Sequence, residues 1–213
     1  RDTGVPQKQE IPAGMDWDMY CGPAPLLDYR EGMHPRGFRG YLDFTNGTCA
    51  DWGVHWFDQI LWWSEEKHPK TVYSTGGLFE PNDPSDTPDW QTITFEFDSF
   101  TAEWDHRRIG STDSEKHTIG VFFHGTKGTF HMGWMDGWTF YPSTRGGQEV
   151  HMDHTLHLPD NQNIPELWND FIQAIEKGTK PAADIVNSQY ATNMSLLGMM
   201  SYKLGRSVQW DGE

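Results

Sequence analysis

The chain has 213 residues with 16 basic and 31 acidic side chains, so its formal net charge is −15 at pH 7. An acidic chain without basic clusters is repelled by a phosphate backbone, so we expect no nucleic-acid partner. No apolar run reaches the roughly 18 residues of a membrane-spanning helix, so we expect no membrane partner. Aromatic residues make up 14% of the chain and include 11 tryptophans, which can build a core where aliphatic residues are few.

The first 40 residues are predicted to form an irregular arm, because prolines and glycines recur too often for long regular elements. Apolar side chains in this arm, such as Leu26 and Phe38, are too numerous for a solvated linker. We therefore predict that residues 1–40 pack on one domain formed by residues 41–213.

A helix is predicted from Ala50 to about Ser64, because apolar residues recur there at three- and four-residue spacing. Six strands follow, rich in β-branched and aromatic residues and bounded by Gly, Pro or Asp. They are Thr71–Phe79, Thr92–Asp98, Phe100–Arg107, Thr118–His124, Gly128–Trp134 and Gly137–Tyr141. Short connections between successive strands indicate hairpins and therefore antiparallel pairing.

Two helices close the chain, one from about residue 165 to residue 177 and one from Asn187 to Leu204. Helices before and after an antiparallel run predict an α+β fold, with an open, predominantly antiparallel sheet and helices on one face. Aromatic residues at neighbouring strand positions fall on both faces of that sheet. We therefore expect the second face to form a homo-oligomer interface.

Asp51, His55 and Asp58 place three titratable groups on one face of the first predicted helix. A neutral imidazole can take or give a proton near pH 7, and a carboxylate one turn away can orient it. The alternative is structural, with His55 and Asp58 as hydrogen-bonded core residues and Asp51 as a first-turn acid favoured by the helix dipole. Spacing alone slightly favours the structural alternative.

No metal site is predicted. Three histidines are spaced by three residues: His151, His154 and His157. In an extended segment, residues three positions apart point to opposite faces, and no Cys/His pair lies nearby to complete a set of metal ligands. The same interpretation applies to the histidines in and near the strands: His117, His124 and His131.

Several distinctive stretches follow one another along the chain: Gly14–Pro25, His34–Pro35, Arg39–Phe44, Asp51–Asp58, Gly120–Thr129 and Phe171–Trp210. In this order they resemble the C-terminal domain of the Gfo/Idh/MocA oxidoreductases. The resemblance covers nearly all of the chain from about residue 12 onward. It implies a mixed or predominantly antiparallel sheet that lines the substrate side of a nicotinamide cleft and mediates oligomer contacts.

The resemblance also implies residue roles. In the family, the Asp and His of the motif matched by Asp51 and His55 lie at the reacting carbon, beside a lysine from the dinucleotide domain. Carried over, His55 is the acid/base that moves the hydroxyl proton as hydride passes to NAD or NADP, and Asp51 orients the substrate or His55. Asp58 is structural and holds the helix start.

The arm is expected to border the cleft and to contact sugar hydroxyls through Trp17, Tyr20 and Arg39. The family's dinucleotide-binding half has no counterpart, since no GxGxxG follows a strand and no βαβ pattern occurs. We therefore expect a fragment that holds no cofactor and is inactive alone, completed by an N-terminal Rossmann domain and acting on a sugar or polyol.

The alternative function is a freestanding carbohydrate-binding or structural module with the same fold and no redox activity. The presence of Asp51 and His55 favours the oxidoreductase domain. Aromatic-rich members that resemble this chain often carry a twin-arginine leader, which is not visible here. The sequence therefore leaves an exported bacterial location and a cytoplasmic one open.

Overall fold

The computed structural model describes residues 8–30, 32–33, 37–80, 85–110, 115–155 and 164–212. The chain divides into two compact units, of which the first comprises Arg1–Gly110 with Ile185–Glu213 and the second Ser111–Asp184. The arm belongs to the first unit, and its boundary at residue 40 stays a prediction. Within the described ranges, none of the helices is both long enough and apolar enough to cross a membrane.

The described residues of the first unit form three α-helices and four strands. The helices are α1 (Trp17–Cys21), α2 (Val54–Ser64) and α4 (Ile185–Leu204), and the strands are β1 (Thr71–Gly77), β2 (Trp90–Glu96), β3 (Thr101–Arg107) and β8 (Val208–Gln209). A 3₁₀ turn at Gly37–Gly40 and a π-helical turn at Cys49–Gly53 precede α2. The sheet has the order β3-β2-β1-β8, and all its pairs are antiparallel.

Four strands and one helix lie in the described part of the second unit. The strands are β4 (Gly120–Gly125), β5 (Gly128–Gly133), β6 (Trp138–Pro142) and β7 (Val150–Met152), and the helix is α3 (Ile164–Lys177). The strands pair in chain order, again antiparallel throughout. The α+β fold with antiparallel strands is therefore confirmed, but the strands form two four-stranded sheets rather than one.

Helices cover one face of the first sheet. Along β2, buried and accessible residues alternate with period 2, and Ile93 and Phe95 have no exposed surface. The ring of Phe57 on α2 lies 5.1 Å from that of Phe95. On α4, a Cβ added to Gly198 would lie 2.5 Å from Cδ1 of Ile93, so glycine allows this helix to approach the sheet closely.

The opposite face of the first sheet is mainly polar. Its cross-strand rows combine threonines with charged residues, as where Thr94 pairs with Glu103 and Thr92 with Asp105. Tyr73 is an exposed aromatic residue on this face. The aromatic residues Phe95 and Trp104 instead share the helix-covered face, since Phe57 contacts both rings. Trp90 is a second exposed aromatic residue on the polar face, in register with Thr92 and Thr94. The expected homo-oligomer interface stays a prediction.

The arm has a small core of its own. Trp17, Cys21, Met33 and Tyr41 are buried together, with Tyr20 and other partly buried residues packed against them. Asp16 caps α1, because its carboxylate accepts a hydrogen bond from the Met19 N–H at 2.9 Å. This core, whose members lie within residues 15–44, is the physical reason that a segment rich in proline and glycine adopts a defined fold.

Candidate functional site

The first predicted helix begins with a π-helical turn. Cys49–Gly53 forms this turn, and α2 continues directly from Val54. Burial fixes the turn, because Cys49 is 1% exposed and its carbonyl accepts a hydrogen bond from the Ser195 hydroxyl of α4 at 3.1 Å. Burial also raises the pKa of the Cys49 thiol to about 12, so this cysteine stays protonated and unreactive. Such π-helical turns are frequent at functional sites.

Asp51 projects from this turn and is paired with the arm. The Arg39 Nε donates to Asp51 Oδ2 at 2.6 Å, with the two side chains 45% and 28% exposed. The Arg39 guanidinium also lies 4.8 Å from the centre of the Phe38 ring. A half-exposed ion pair thus joins the end of the arm to the start of the helical segment.

His55 and Asp58 lie on exposed positions of α2. Partial burial raises the pKa of the Asp58 carboxyl above its usual range, and the nearby His55 charge opposes this effect without cancelling it. Asp58 is the fifth residue of α2, so it lies beyond the helix start that the sequence analysis assigned to it. The start itself has no side-chain cap hydrogen bond.

The two aromatic residues predicted for substrate binding belong to the arm core. Trp17 is 4% exposed and its indole N–H donates to the Leu27 carbonyl at 2.7 Å. Tyr20 stacks on Trp17 with ring centres 5.0 Å apart, and its hydroxyl donates to the Met33 carbonyl at 3.3 Å. Trp17 is thus placed to support Tyr20, and of the two only Tyr20 retains an accessible surface.

The sequence predicted Arg39 and the helical residues as separate candidates, and it did not reveal the ion pair between Arg39 and Asp51. The two residues are 12 positions apart, and the arm that carries Arg39 shows no periodicity that would fix its direction. The Gly37–Gly40 turn supplies that direction. The sequence signal that could have indicated this ion pair is a basic residue, Arg39, that precedes a helix with an acidic residue, Asp51, in its first turn.

The surface around Asp51 and His55 can bind a hydroxyl group and exchange its proton. An exposed imidazole is a proton acceptor or donor near pH 7, and an anchored carboxylate can hold a second hydroxyl. Both sheets are antiparallel, so the described residues contain no parallel βαβ unit of the kind that holds a dinucleotide. The described residues therefore do not fit a nicotinamide cofactor.

Comparison with known proteins places this chain among oxidoreductase domains. A family model described as the oxidoreductase family, C-terminal alpha/beta domain, matches residues 3–213. A search of curated proteins found no match to this sequence.

Solved structures of oxidoreductases share the fold. An oxidoreductase from Agrobacterium radiobacter, in complex with NAD+, L-tartaric acid and magnesium, has a TM-score of 0.62 at 12% identity, over 84% of this chain and 53% of that one. Aldose-aldose oxidoreductase from Caulobacter crescentus, complexed with glycerol, has a TM-score of 0.62 at 16% identity, over 81% and 50%. An NAD-binding protein from Listeria innocua has a TM-score of 0.55 at 16% identity, over 83% and 55%. The chain spans about half the length of these structures.

Proposed function

The chain belongs to the Gfo/Idh/MocA family of oxidoreductases as a C-terminal α/β domain. We propose that this domain binds the substrate and mediates oligomerisation in an NAD(P)-dependent sugar or polyol oxidoreductase. The observation that carries the proposal is the surface of residues 49–64, where Asp51 is anchored by Arg39 at 2.6 Å beside the exposed His55. The polyhydroxylated ligands in two structural neighbours, L-tartaric acid and glycerol, support the substrate class.

In this proposal His55 exchanges the proton of the reacting hydroxyl. An imidazole is suited to this task because its ordinary pKa of about 6.5 lets both protonation states form near neutral pH. Its exposed position on α2 leaves it within reach of a bound substrate. In this proposal NAD or NADP would supply the hydride chemistry when bound, and a Rossmann domain other than the residues described would hold it.

Asp51 and Arg39 position the substrate. The ion pair holds the Asp51 carboxylate in place as a hydroxyl acceptor, while the Arg39 side chain, 45% exposed, can donate to a second oxygen. Tyr20 is proposed as a weaker contact and Trp17 as its support. Asp58 is proposed as a structural residue of α2, and the nearby His55 charge acts on its carboxyl group.

The test uses the longest natural form of the protein, assayed with NAD+ and NADP+ against a panel of sugars and polyols. His55→Ala is expected to lower kcat by about 100-fold or more, as for loss of a general acid/base, while cofactor affinity is unchanged. Arg39→Ala is expected to raise KM more than it lowers kcat. His124→Ala, an exposed histidine on β4, is the matched control and should keep full activity.

Two outcomes would contradict the proposal. One is undiminished turnover in His55→Ala, which would remove the proton-transfer role. The other is a longest natural form that binds a sugar but neither NAD+ nor NADP+, which would favour a carbohydrate-binding module instead.

A further inference from the structure

One face of the second sheet is rich in histidine. Phe122 pairs with His131 across β4 and β5, His131 pairs with Thr139 across β5 and β6, and Thr139 pairs with His151 across β6 and β7. Directly cross-strand residues share a face, so these side chains form one row. His117, which precedes β4, lies over this row with its ring centre 3.8 Å from that of His131.

His117, His131 and Asp136 converge at one point. Their ligand-type atoms, one from each side chain, all lie within 4.8 Å of one another. The His117 Nδ1 lies 3.2 Å from Asp136 Oδ2. Ligands of a tetrahedral zinc ion, each about 2.0–2.2 Å from the metal, are roughly 3.3–3.5 Å apart. Small side-chain rotations would therefore bring the three atoms to metal-binding distance.

His131 has a polar atom that the described residues leave unsatisfied. The side chain is 1% exposed, and its Nε2 has no hydrogen-bond partner among the described residues. Leaving a buried polar atom unpaired destabilises a fold, so such an atom calls for an explanation. A metal ion, which accepts the lone pair of a neutral imidazole, is one chemical answer.

Two glycines make room for the cluster. Gly120 on β4 and Gly133 on β5 face each other across the sheet. A Cβ added to Gly133 would lie 1.4 Å from Asp136 Oδ1, and one added to Gly120 would lie 2.6 Å from the His131 Nε2. No other residue type could stand at position 133 without displacing the carboxylate.

A second layer of residues holds His117. Its Nε2 lies 3.0 Å from the Tyr141 hydroxyl, and that hydroxyl in turn accepts a hydrogen bond from Lys116 at 3.0 Å. When the Nε2–H of His117 donates to Tyr141, the lone pair of Nδ1 is left to face Asp136. Metal-binding histidines are commonly oriented by such a partner on the second ring nitrogen.

We propose that His117, His131 and Asp136 of the second unit bind a divalent transition-metal ion of the zinc type. Two imidazoles and one carboxylate match the donors that Zn²⁺ prefers, whereas Mg²⁺ and Ca²⁺ prefer oxygen-only sites. The fourth position is open to water or to an oxygen ligand.

The test is calorimetric titration of the chelator-treated full chain with Zn²⁺, with Mg²⁺ as the comparison ion. One equivalent of Zn²⁺ is expected to bind and to raise the melting temperature, while Mg²⁺ binds at least about 100-fold more weakly. Co²⁺ in place of Zn²⁺ should give the visible absorption of a four-coordinate site.

Asp136→Asn and His117→Gln are the diagnostic variants, because both residues lie outside the buried core and their loss should leave the fold intact. Each is expected to weaken Zn²⁺ binding by about 100-fold. The control is His151→Gln, which removes the neighbouring pair of His151 and Asp153, whose atoms are 3.1 Å apart. Undiminished binding in Asp136→Asn, or binding abolished only by His151→Gln, would overturn the assignment, as would the absence of stoichiometric Zn²⁺ binding to the unaltered chain.

Discussion

The two sheets differ in how the ring nitrogens of their buried histidines are hydrogen-bonded. On the first sheet, His106 has both ring nitrogens engaged, since Nδ1 accepts from the Trp104 indole N–H at 2.8 Å and Nε2 lies 3.3 Å from the Pro88 carbonyl. On the second sheet, His131 is more deeply buried and its Nε2 has no such partner within the described ranges. A fully paired imidazole supports the fold, whereas an unpaired one beside His117 and Asp136 is available to a ligand.

The first sheet links several other buried polar groups to α4, although the Oε1 of Gln91 has no hydrogen-bond partner among the described residues. The Gln91 amide donates to the Ser74 hydroxyl at 3.0 Å, and the Ser74 N–H donates to the Ser201 hydroxyl of α4 at 2.9 Å. Ser201 in turn donates to the Arg206 carbonyl at 2.8 Å. Stability should therefore depend more on the helix-covered face of the first sheet than on equivalent positions of the second.

The largest expected effect comes from the aromatic core of the first sheet. Phe57→Ala should lower the free energy of unfolding by about 3–5 kcal/mol, because the ring is 1% exposed and contacts Phe95 and Trp104. Phe130→Ala is the matched change on the second sheet. Its ring is only half-buried, so a loss of about 1–3 kcal/mol is expected. Chemical denaturation of both variants measures their free energies of unfolding. Equal losses in Phe57→Ala and Phe130→Ala would contradict the expected difference between the two sheets.

A smaller effect is expected from the hydrogen-bond chain beneath α4. Ser201→Ala leaves the buried Ser74 N–H without its acceptor, which should lower the free energy of unfolding by about 1–2 kcal/mol. Thr192→Ala is the control on the same helix, because the Thr192 hydroxyl is exposed and donates to the Ser188 carbonyl one turn earlier. Denaturation curves in which both variants match the parent chain would mean that the chain of serines is dispensable.

The smallest effect is a pH dependence due to His106. Burial, more than any nearby charge, lowers the pKa of this imidazole below its usual 6.5. The unfolded chain therefore takes up a proton at a higher pH than the folded chain, and stability should fall as the pH drops below about 6.5. His106→Gln is expected to flatten this acid-side slope, as measured by urea unfolding at about pH 7.5 and about pH 5.5. If the dependence of stability on pH is unchanged in His106→Gln, other groups cause it. His124→Gln, at an exposed position, is the control.

Much of the fold could be predicted from local pattern. Runs of β-branched and aromatic residues bounded by Gly, Pro or Asp identified the six longer strands. The spacing of apolar residues identified α2, and apolar faces with start and stop residues identified α3 and α4. The prediction missed β7 and β8, because strands of three and two residues are too short to show periodicity. It also missed α1 and the π-helical turn, both of which are only five residues long.

The candidate sites were predicted in part. Asp51 and His55 were identified by their spacing on one helix and by the resemblance to the family, and the family membership is confirmed. The histidines of the second sheet were interpreted as a chance cluster, because sequence spacing does not reveal which residues meet across strands. His117 and His131 are 14 positions apart and become neighbours only through the β4–β5 hairpin.

The sequence by itself determined the class of fold, the antiparallel pairing and the family, because these depend on local periodicity and on the order of motifs along the chain. Only the tertiary structure decided the division into two sheets, the ion pair between Arg39 and Asp51, and the meeting of His117, His131 and Asp136. The physical reason is that each of these depends on how turns and arm residues direct side chains across long separations. No local pattern encodes that direction.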